Sequence, residues 1–217
     1  SVARTHKEHI NDILAGRGGS RAGLWLGNPH PETVALYCRR LNAANFDELR
    51  VRWGDDCRWV PADDAYRHPE GKPALDPYQG KAKRYHGQAG VFADCESTAE
   101  VERYAWPDPA YLDFGRIEER LRQYGDYAVF SGMWAPFFHN VADFFGMENY
   151  FVKMYTHPAV VEAVTEHVVQ YYLAANERLF AACGHLIDVY FFGNDFGSQE
   201  SLLISPAMFR RFVLPYM

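Results

Sequence analysis

Two kinds of hydrophobic spacing alternate along this sequence. Short apolar or alternating runs, bounded by turn residues, predict strands over residues 22–26, 46–53, 127–131 and 186–192. Between them, apolar residues at helical spacing predict helices over 5–15, 31–41, 113–124 and 158–183, with two shorter helices that begin after Ser97 and Ser205. Strands that alternate with helices, with connections longer than a hairpin needs, argue for an α/β fold built on a parallel sheet with right-handed crossovers.

The ends of the predicted helices carry recognisable capping residues. Thr5 is suited to the N-cap of the first helix, and Pro31 to the first turn of the second. Ser97, followed three residues later by a glutamate, forms a capping box. Gly184 ends the longest helix, and Ser205 with its following proline opens the last one. These signals fix the helix positions more firmly than the apolar spacing alone.

Polar residues cluster where predicted strands end. The run 186–192 has the aromatic and β-branched content of a strand covered on both faces, and small, acidic and amide residues follow it directly. In parallel α/β folds, ligands bind at the carboxyl ends of the strands. We therefore predict Asp56 and Asp195 as catalytic residues, and as substrate-binding residues His30, Asn28, Trp134, His139, Asn194, Phe196 and Gln199.

Each of these residues also has a purely structural interpretation. Asp56 lies in a Gly-Asp-Asp turn, where a carboxylate can simply cap the chain. His139 stands among apolar neighbours and fits a buried core histidine as well as a proton donor or acceptor. Trp134 and Phe196 could stack a flat ligand or fill the core. The sequence leaves these alternatives open.

Residues 61–106 interrupt the alternation of strands and helices. As far as residue 90 the segment is rich in Pro, Gly, Asp, Tyr and Lys and has no helical period, and one short helix follows. Long irregular segments of this kind often carry function. We expect residues 61–106 to form an excursion over the mouth of a barrel, within a single domain that covers residues 1–217.

Composition and charge exclude several classes of function. The 217 residues are 48% hydrophobic and 23% charged, which is typical of a globular protein, and 28 acidic against 22 basic residues give a net charge of -6. That charge argues against nucleic acid as a partner. No apolar run reaches the roughly 20 residues that span a membrane. The cysteines are widely spaced and predict neither disulfides nor a metal site, which favours a reducing, cytoplasmic location.

Several motifs resemble those of a known superfamily. They are the segments 106–109 (WPDP), 131–136 (SGMWAP), 194–197 (NDFG) and 204–216 (ISPAMFRRFVLPY). In their order and spacing the chain resembles the N-terminal part of the uroporphyrinogen decarboxylase superfamily, which includes tetrapyrrole decarboxylases and cobalamin-dependent methyltransferases. The resemblance implies a (β/α)8 TIM barrel, of which this chain holds about four β/α units and an N-terminal helix.

The resemblance carries over unevenly to individual residues. In the decarboxylases an aspartate five residues before a proline binds the pyrrole nitrogens, and Asp56 with Pro61 matches it. The two arginines that hold substrate carboxylates are absent from the matching segment 26–30. The family has a tyrosine in the helix after the Ala-Pro pair, and this chain has Ala142 at the corresponding position. The family also has a serine after the last of these strands, and the corresponding residue here is about Asn194. A porphyrinogen with its many carboxylates needs such guanidinium partners, so these departures favour the methyltransferases.

The resemblance therefore implies, as the first hypothesis, a methyltransferase that works with a corrinoid protein. In that group a His-x-Cys pair and a later cysteine bind zinc, and their positions would lie beyond Met217. The first alternative is a decarboxylase of a porphyrinogen or another carboxylated aromatic compound, which needs no cofactor. The second is a barrel that binds a ligand without catalysis. A small-molecule or tetrapyrrole substrate and a homodimer complete these expectations.

Overall fold

The computed structural model describes residues 4–18, 21–85 and 87–217. Its strands are β1 (Cys57–Pro61), β2 (Ala128–Gly132) and β3 (Val189–Tyr190). Its helices are α1 (His6–Leu14), α2 (Pro31–Leu41), α3 (Phe46–Trp53), α4 (Thr98–Glu102), α5 (Gly115–Arg122), α6 (Phe137–Phe145), α7 (Met147–Thr156), α8 (Pro158–Cys183) and α9 (Pro206–Phe212). The α/β class predicted from the sequence is confirmed.

The chain divides into two compact units. Unit 1 contains the residues up to Ala62, together with Phe114–Gly132 and Ala182–Phe191. Unit 2 contains Asp63–Asp113, Met133–Ala181 and Phe192–Met217. Each unit is assembled from segments that are distant in sequence. The expectation of a single domain over residues 1–217 stays a prediction.

Unit 1 is built around the sheet. In the described residues the strand order is β1-β2-β3, and both pairs are parallel, with Cys57 opposite Ala128 and Phe130 opposite Val189. The parallel sheet is confirmed, with three strands rather than about four. Ile10 of α1 packs with Cys57 and Ala128 in a buried cluster, so the N-terminal helix covers the start of the sheet. The place of this sheet in an eightfold barrel remains a prediction.

The strand predicted over residues 46–53 is wrong, because these residues form α3. The Asn45 side chain accepts a hydrogen bond from the Glu48 backbone N–H at 2.9 Å, and Asp47 adds a second acidic residue to the first turn. Both features stabilise a helix N-terminus. Of the apolar residues that alternate with charges here, Leu49 is buried and the others are not. The strand is instead the next segment, β1.

Two other predicted strands also differ from the structure. Residues 22–26 form no strand, because the Leu24 backbone bonds to the side chain and N–H of Asp56 instead of joining the ladder of β1. The last predicted strand, 186–192, is reduced to the two residues of β3. None of its residues is buried, since β3 lies at the edge of the described sheet. The expectation that it is covered on both faces is wrong.

Unit 2 is mainly helical and includes the irregular excursion. Ser97 caps α4 by accepting from the Ala99 N–H, and Ser205 caps α9 by accepting from the Met208 N–H, both as predicted. The segment between β1 and α4 contains a short 3-10 turn at Asp63–Ala65 and is otherwise irregular, as expected. Its predicted location over a barrel mouth stays a prediction. Across the described ranges, no helix has the length and apolarity needed to cross a membrane.

Candidate functional site

Unit 2 contains the three chain segments that follow the strands. Asp63 comes shortly after β1, Trp134 shortly after β2, and Asn194 shortly after β3. These positions correspond to the loops that bind ligands in parallel α/β folds. Trp134 and Asn194 are two of the predicted binding residues, whereas Asp63 was missed.

Backbone and side-chain hydrogen bonds join these three loops into one cluster, which we call the loop site. The Trp134 N–H donates to both carboxylate oxygens of Asp63, at 3.1 and 3.2 Å. The Trp134 carbonyl accepts from the Gly193 N–H at 3.0 Å. The Asn194 amide donates to the Ala135 carbonyl at 3.3 Å. Each loop is therefore held in place by its neighbours in the cluster.

The backbone of the loop site is strained at Ala135. This residue has a φ of 48°, in the left-handed region that non-glycine residues rarely occupy, and it precedes a proline. Asn194 holds the strained segment on both sides, since its side-chain oxygen also accepts from the Phe138 N–H at 3.0 Å. Strain that is retained by surrounding contacts is common at functional sites.

Gly193 allows Trp134 to approach the third loop. A Cβ at Gly193 would lie 2.6 Å from the indole nitrogen of Trp134, so a larger residue would displace the ring. Trp134 is 45% exposed. An exposed indole can stack with a flat or cationic group.

Asp63 has the electrostatic character of an acid or base. Its side chain is accessible to solvent, but crowding by surrounding protein raises its pKa above 3.8. The hydrogen bond from Trp134 opposes this rise in part, and the neighbouring charge of Asp64 adds to it. A carboxyl group with a raised pKa exchanges protons nearer to neutral pH.

The charge of Asp63 affects the pKa of two tyrosines of α8. Burial, together with the charge of Asp63, raises the pKa of both Tyr171 and Tyr172, so both hydroxyls stay protonated. Tyr172 donates to the Asn140 side chain at 2.6 Å. The Tyr171 hydroxyl is buried, and among the described residues it has no hydrogen-bond partner. Most buried hydroxyls in proteins do have one.

Three other predicted residues follow β3, namely Asp195, Phe196 and Gln199, and the first two make contacts that stabilise the local structure. Asp195 is exposed, and its carboxylate accepts from the Gly197 N–H at 3.2 Å, which closes its own turn. Phe196 packs edge-on against Phe138 and Phe209, in the manner of a core residue. Gln199 is exposed. Their predicted roles in catalysis or binding stay untested.

The three remaining binding candidates are His139, His30 and Asn28. His139 is half-buried, with its ring edge-on to Phe138 at 5.5 Å. His30 is exposed at the N-terminus of α2, where its Nδ1 accepts from the Glu32 N–H at 3.3 Å. Asn28 is exposed nearby in the sequence. His30 and Asn28 belong to unit 1, and His139 belongs to unit 2.

Asp56 occupies a different position from the one predicted. It precedes β1, so it lies at the amino end of a strand rather than the carboxyl end. Its buried carboxylate is already bound by the Arg21 guanidinium, the Leu24 N–H at 2.8 Å and His6 Nδ1 at 2.7 Å. Burial alone would raise its pKa, but these hydrogen bonds outweigh burial and hold the pKa well below 3.8.

The segment CRWVP is the part of the sequence that indicates Asp63 as a site residue, because it forms the strand before it. Arg58, Val60 and the other residues of this segment form the true strand β1, and the loop after it begins with Ala62 and Asp63. A strand over residues 46–53 places its carboxyl end at Asp55 and Asp56 instead. Within residues 4–18, 21–85 and 87–217, no group of three or more His, Cys, Asp or Glu side chains is arranged to hold a metal ion.

The chain resembles one solved enzyme in fold. Neither a family model nor a curated protein matches its sequence. A solved methyltransferase from Methanosarcina mazei matches 99% of this chain with a TM-score of 0.54 and 15% sequence identity. The match covers 65% of the methyltransferase, so this chain spans about two thirds of that protein's length. At this level of identity the likeness shows a shared α/β fold.

Proposed function

We propose that this chain is part of a methyltransferase of the uroporphyrinogen decarboxylase superfamily, which transfers a methyl group between a small molecule and a corrinoid. The observation that carries the proposal is the shared fold with a methyltransferase along 99% of the chain. The superfamily motifs in the sequence, 106–109, 131–136 and 194–197, support it. The missing arginines in segment 26–30 favour methyl transfer over decarboxylation of a polyanion.

Within this proposal the loop site binds the small molecule. Asp63 accepts a proton from the substrate or donates one to it, since its raised pKa suits proton exchange. The Trp134 N–H fixes the orientation of that carboxylate. A bound corrinoid supplies the methyl-carrying chemistry. Asp56 stabilises unit 1, because its two carboxylate oxygens accept hydrogen bonds from Arg21 and from the Leu24 N–H.

The described residues do not fit a zinc site. They contain no set of three potential ligands at one place. We therefore assign no step to zinc through these residues.

The proposal is tested by incubating the chain with methylcobalamin and a thiol. The expected result is loss of methylcobalamin absorbance together with formation of the methyl thioether, detected by mass spectrometry. Asp63→Asn removes the proton exchange and should lower the rate at least about tenfold, within the usual range for acid–base groups. Asp94→Asn is the matched control, because Asp94 is an exposed carboxylate of unit 2 outside the loop site.

Two other results would point to the alternatives. Release of carbon dioxide from uroporphyrinogen without added corrinoid would support a decarboxylase and contradict methyl transfer. Binding of a small molecule at the loop site, with no turnover under either condition, would support a ligand-binding module. In both cases the comparison of Asp63→Asn with Asp94→Asn still reports whether the loop site is involved.

A further inference from the structure

Unit 2 contains a cavity of about 430 Å³ formed by the irregular segment and the WPDP motif. Its walls combine aromatic rings with carboxylates, from Tyr66, Tyr104, Trp106, Tyr111, Asp76 and Asp108. The proposed function does not use these residues. The cavity adjoins the loop site through Tyr66, whose ring packs edge-on against Tyr171 at 6.1 Å.

The aromatic walls of the cavity stand at steep angles to one another. The rings of Tyr66 and Tyr111 are 6.1 Å apart at 83°, and those of Tyr104 and Trp106 are 4.9 Å apart at 66°. The Tyr104 hydroxyl donates to the Asp76 carbonyl at 2.8 Å, and the Trp106 indole donates to the Val101 carbonyl at 2.9 Å. These two bonds fix the second pair of rings, and the Trp106 ring also stacks on the His167 ring at 4.6 Å.

The charges that line the cavity are predominantly negative. Asp76 and Asp108 each accept one backbone N–H through Oδ1, at 2.9 and 2.8 Å, and both residues line the cavity. Lys72 and His68 also line it, and Lys72 is ion-paired with Glu70. The two wall carboxylates attract a cation rather than an anion.

The floor of the cavity has a strained backbone. Gln79, which lines it, has a φ of 52°, a conformation that costs free energy for a residue with a side chain. The same turn is held by the bond from the Gly80 N–H to Asp76. Asp76 and Gln79 thus line the cavity from a single turn.

We infer that this cavity binds an organic ammonium cation with several alkyl groups on nitrogen. Aromatic faces at steep angles attract such cations through their ring quadrupoles, and nearby carboxylates add to the attraction. An alkylated ammonium group is weakly hydrated and fills an aromatic box better than a metal ion does. The inference goes beyond the proposed function, because binding at this cavity requires no methyl transfer.

A pair of probes with one shape and different charge tests this inference. Choline carries a trimethylammonium group, and 3,3-dimethylbutan-1-ol is its neutral carbon isostere. Calorimetric titration of the full chain should show that choline binds at least about fivefold more tightly than the isostere. Equal affinity for the two probes, or no binding of choline, would overturn the inference whatever the outcome of the methyl-transfer assay.

Variants then locate the binding within the cavity. Tyr66→Leu removes one aromatic wall and should weaken choline binding about fivefold, whereas Tyr66→Phe keeps the ring and should bind almost normally. Tyr155→Leu is the control, since Tyr155 is 73% exposed elsewhere in unit 2. If Tyr66→Leu does not fold, Asp108→Asn serves instead: it removes a wall charge, keeps a capping side chain, and should also weaken binding. Unchanged affinity in the folded wall variants would show that choline binds elsewhere.

Discussion

The Arg21 guanidinium binds both carboxylate oxygens of Asp56, with Nη1–Oδ2 and Nη2–Oδ1 distances of 2.7 and 2.5 Å. This two-point contact is among the strongest that a carboxylate can make. Asp56 also accepts from the Leu24 N–H, so one side chain ties the segment before α2 to the start of β1. Asp56 thus has a structural role within unit 1, and the catalytic role predicted for it stays a prediction.

Asp56→Asn should destabilise the protein. An amide has one acceptor oxygen, so it cannot satisfy the Arg21, Leu24 and His6 groups that the buried carboxylate now binds. We expect a loss of about 2 kcal/mol in the free energy of unfolding, measured by urea titration. Asp126→Asn in the same unit is the control, because Asp126 is exposed. Equal midpoints for the two variants would contradict the anchoring role.

The stability of the protein should fall in acid because of Asp56. Its pKa in the folded protein lies well below 3.8, so the unfolded chain takes up a proton at a higher pH than the native protein does. The stabilisation is present above pH 3.8 and is lost as the pH falls towards the folded-state pKa. Urea midpoints recorded from pH 6 to pH 3 should fall more steeply for the natural sequence than for Asp56→Asn. Parallel curves would disprove this assignment.

Asp63 should show the opposite dependence. Desolvation raises its pKa in the folded protein above 3.8, so its ionised form is less favourable in the native state than in the unfolded chain. Asp63→Asn should therefore raise Tm at pH 7 while it lowers activity, and the gain in Tm should disappear below pH 3.8. Thermal unfolding at pH 7 and pH 3 checks this, and a lower Tm at pH 7 would contradict it.

The sequence predicted helices well where capping residues were present. The second helix was predicted over residues 31–41 and is found as Pro31–Leu41, since a proline at its start and left-handed Asn42 after its end mark both boundaries. The parallel order of the strands also followed from the alternation of elements. These features depend on local chemistry, which a single sequence contains.

The site could be predicted only in part, and one misassigned segment explains most of the difference. Alternating charged and apolar residues in 46–53 match a strand, but they also match a short helix that buries Leu49 on one side. The choice depends on the Asn45 cap, whose effect outweighs the alternation. When the strand is β1 rather than residues 46–53, the carboxylate in the loop after the strand is Asp63 rather than Asp56. The local Asn45 cap decides this point, and the spacing of apolar residues alone does not reveal it.

Asn194 and Gln199 were both predicted to bind substrate, but their structural settings differ. Asn194 joins the Phe138 N–H to the Ala135 carbonyl at the strained turn, whereas Gln199 is exposed. Asn194→Ala should lower the free energy of unfolding by about 1–2 kcal/mol, since it leaves these backbone groups unpaired. Gln199→Ala should stay within about 0.5 kcal/mol of the natural protein. Chemical denaturation of both variants checks this, and equal effects would show that Asn194 does not hold the turn.

Gly90 determines whether the irregular segment packs against the helical part of unit 2. A Cβ at this position would lie 2.1 Å from the Asp143 carbonyl oxygen and 2.5 Å from the Phe144 backbone, and backbone atoms cannot rotate away. Gly90→Ala should therefore cost about 2 kcal/mol or more in the free energy of unfolding.

Gly125→Ala provides the comparison, because a Cβ there meets nothing within 4 Å. If both glycine variants unfold at the same denaturant concentration, the 61–106 segment is not held against α6 at Gly90. If Gly90→Ala alone is destabilised, the segment that forms the aromatic cavity is part of the cooperative structure of unit 2. Choline affinity should then fall together with stability in Gly90→Ala, and remain unchanged in Gly125→Ala, since the walls of the cavity depend on that packing.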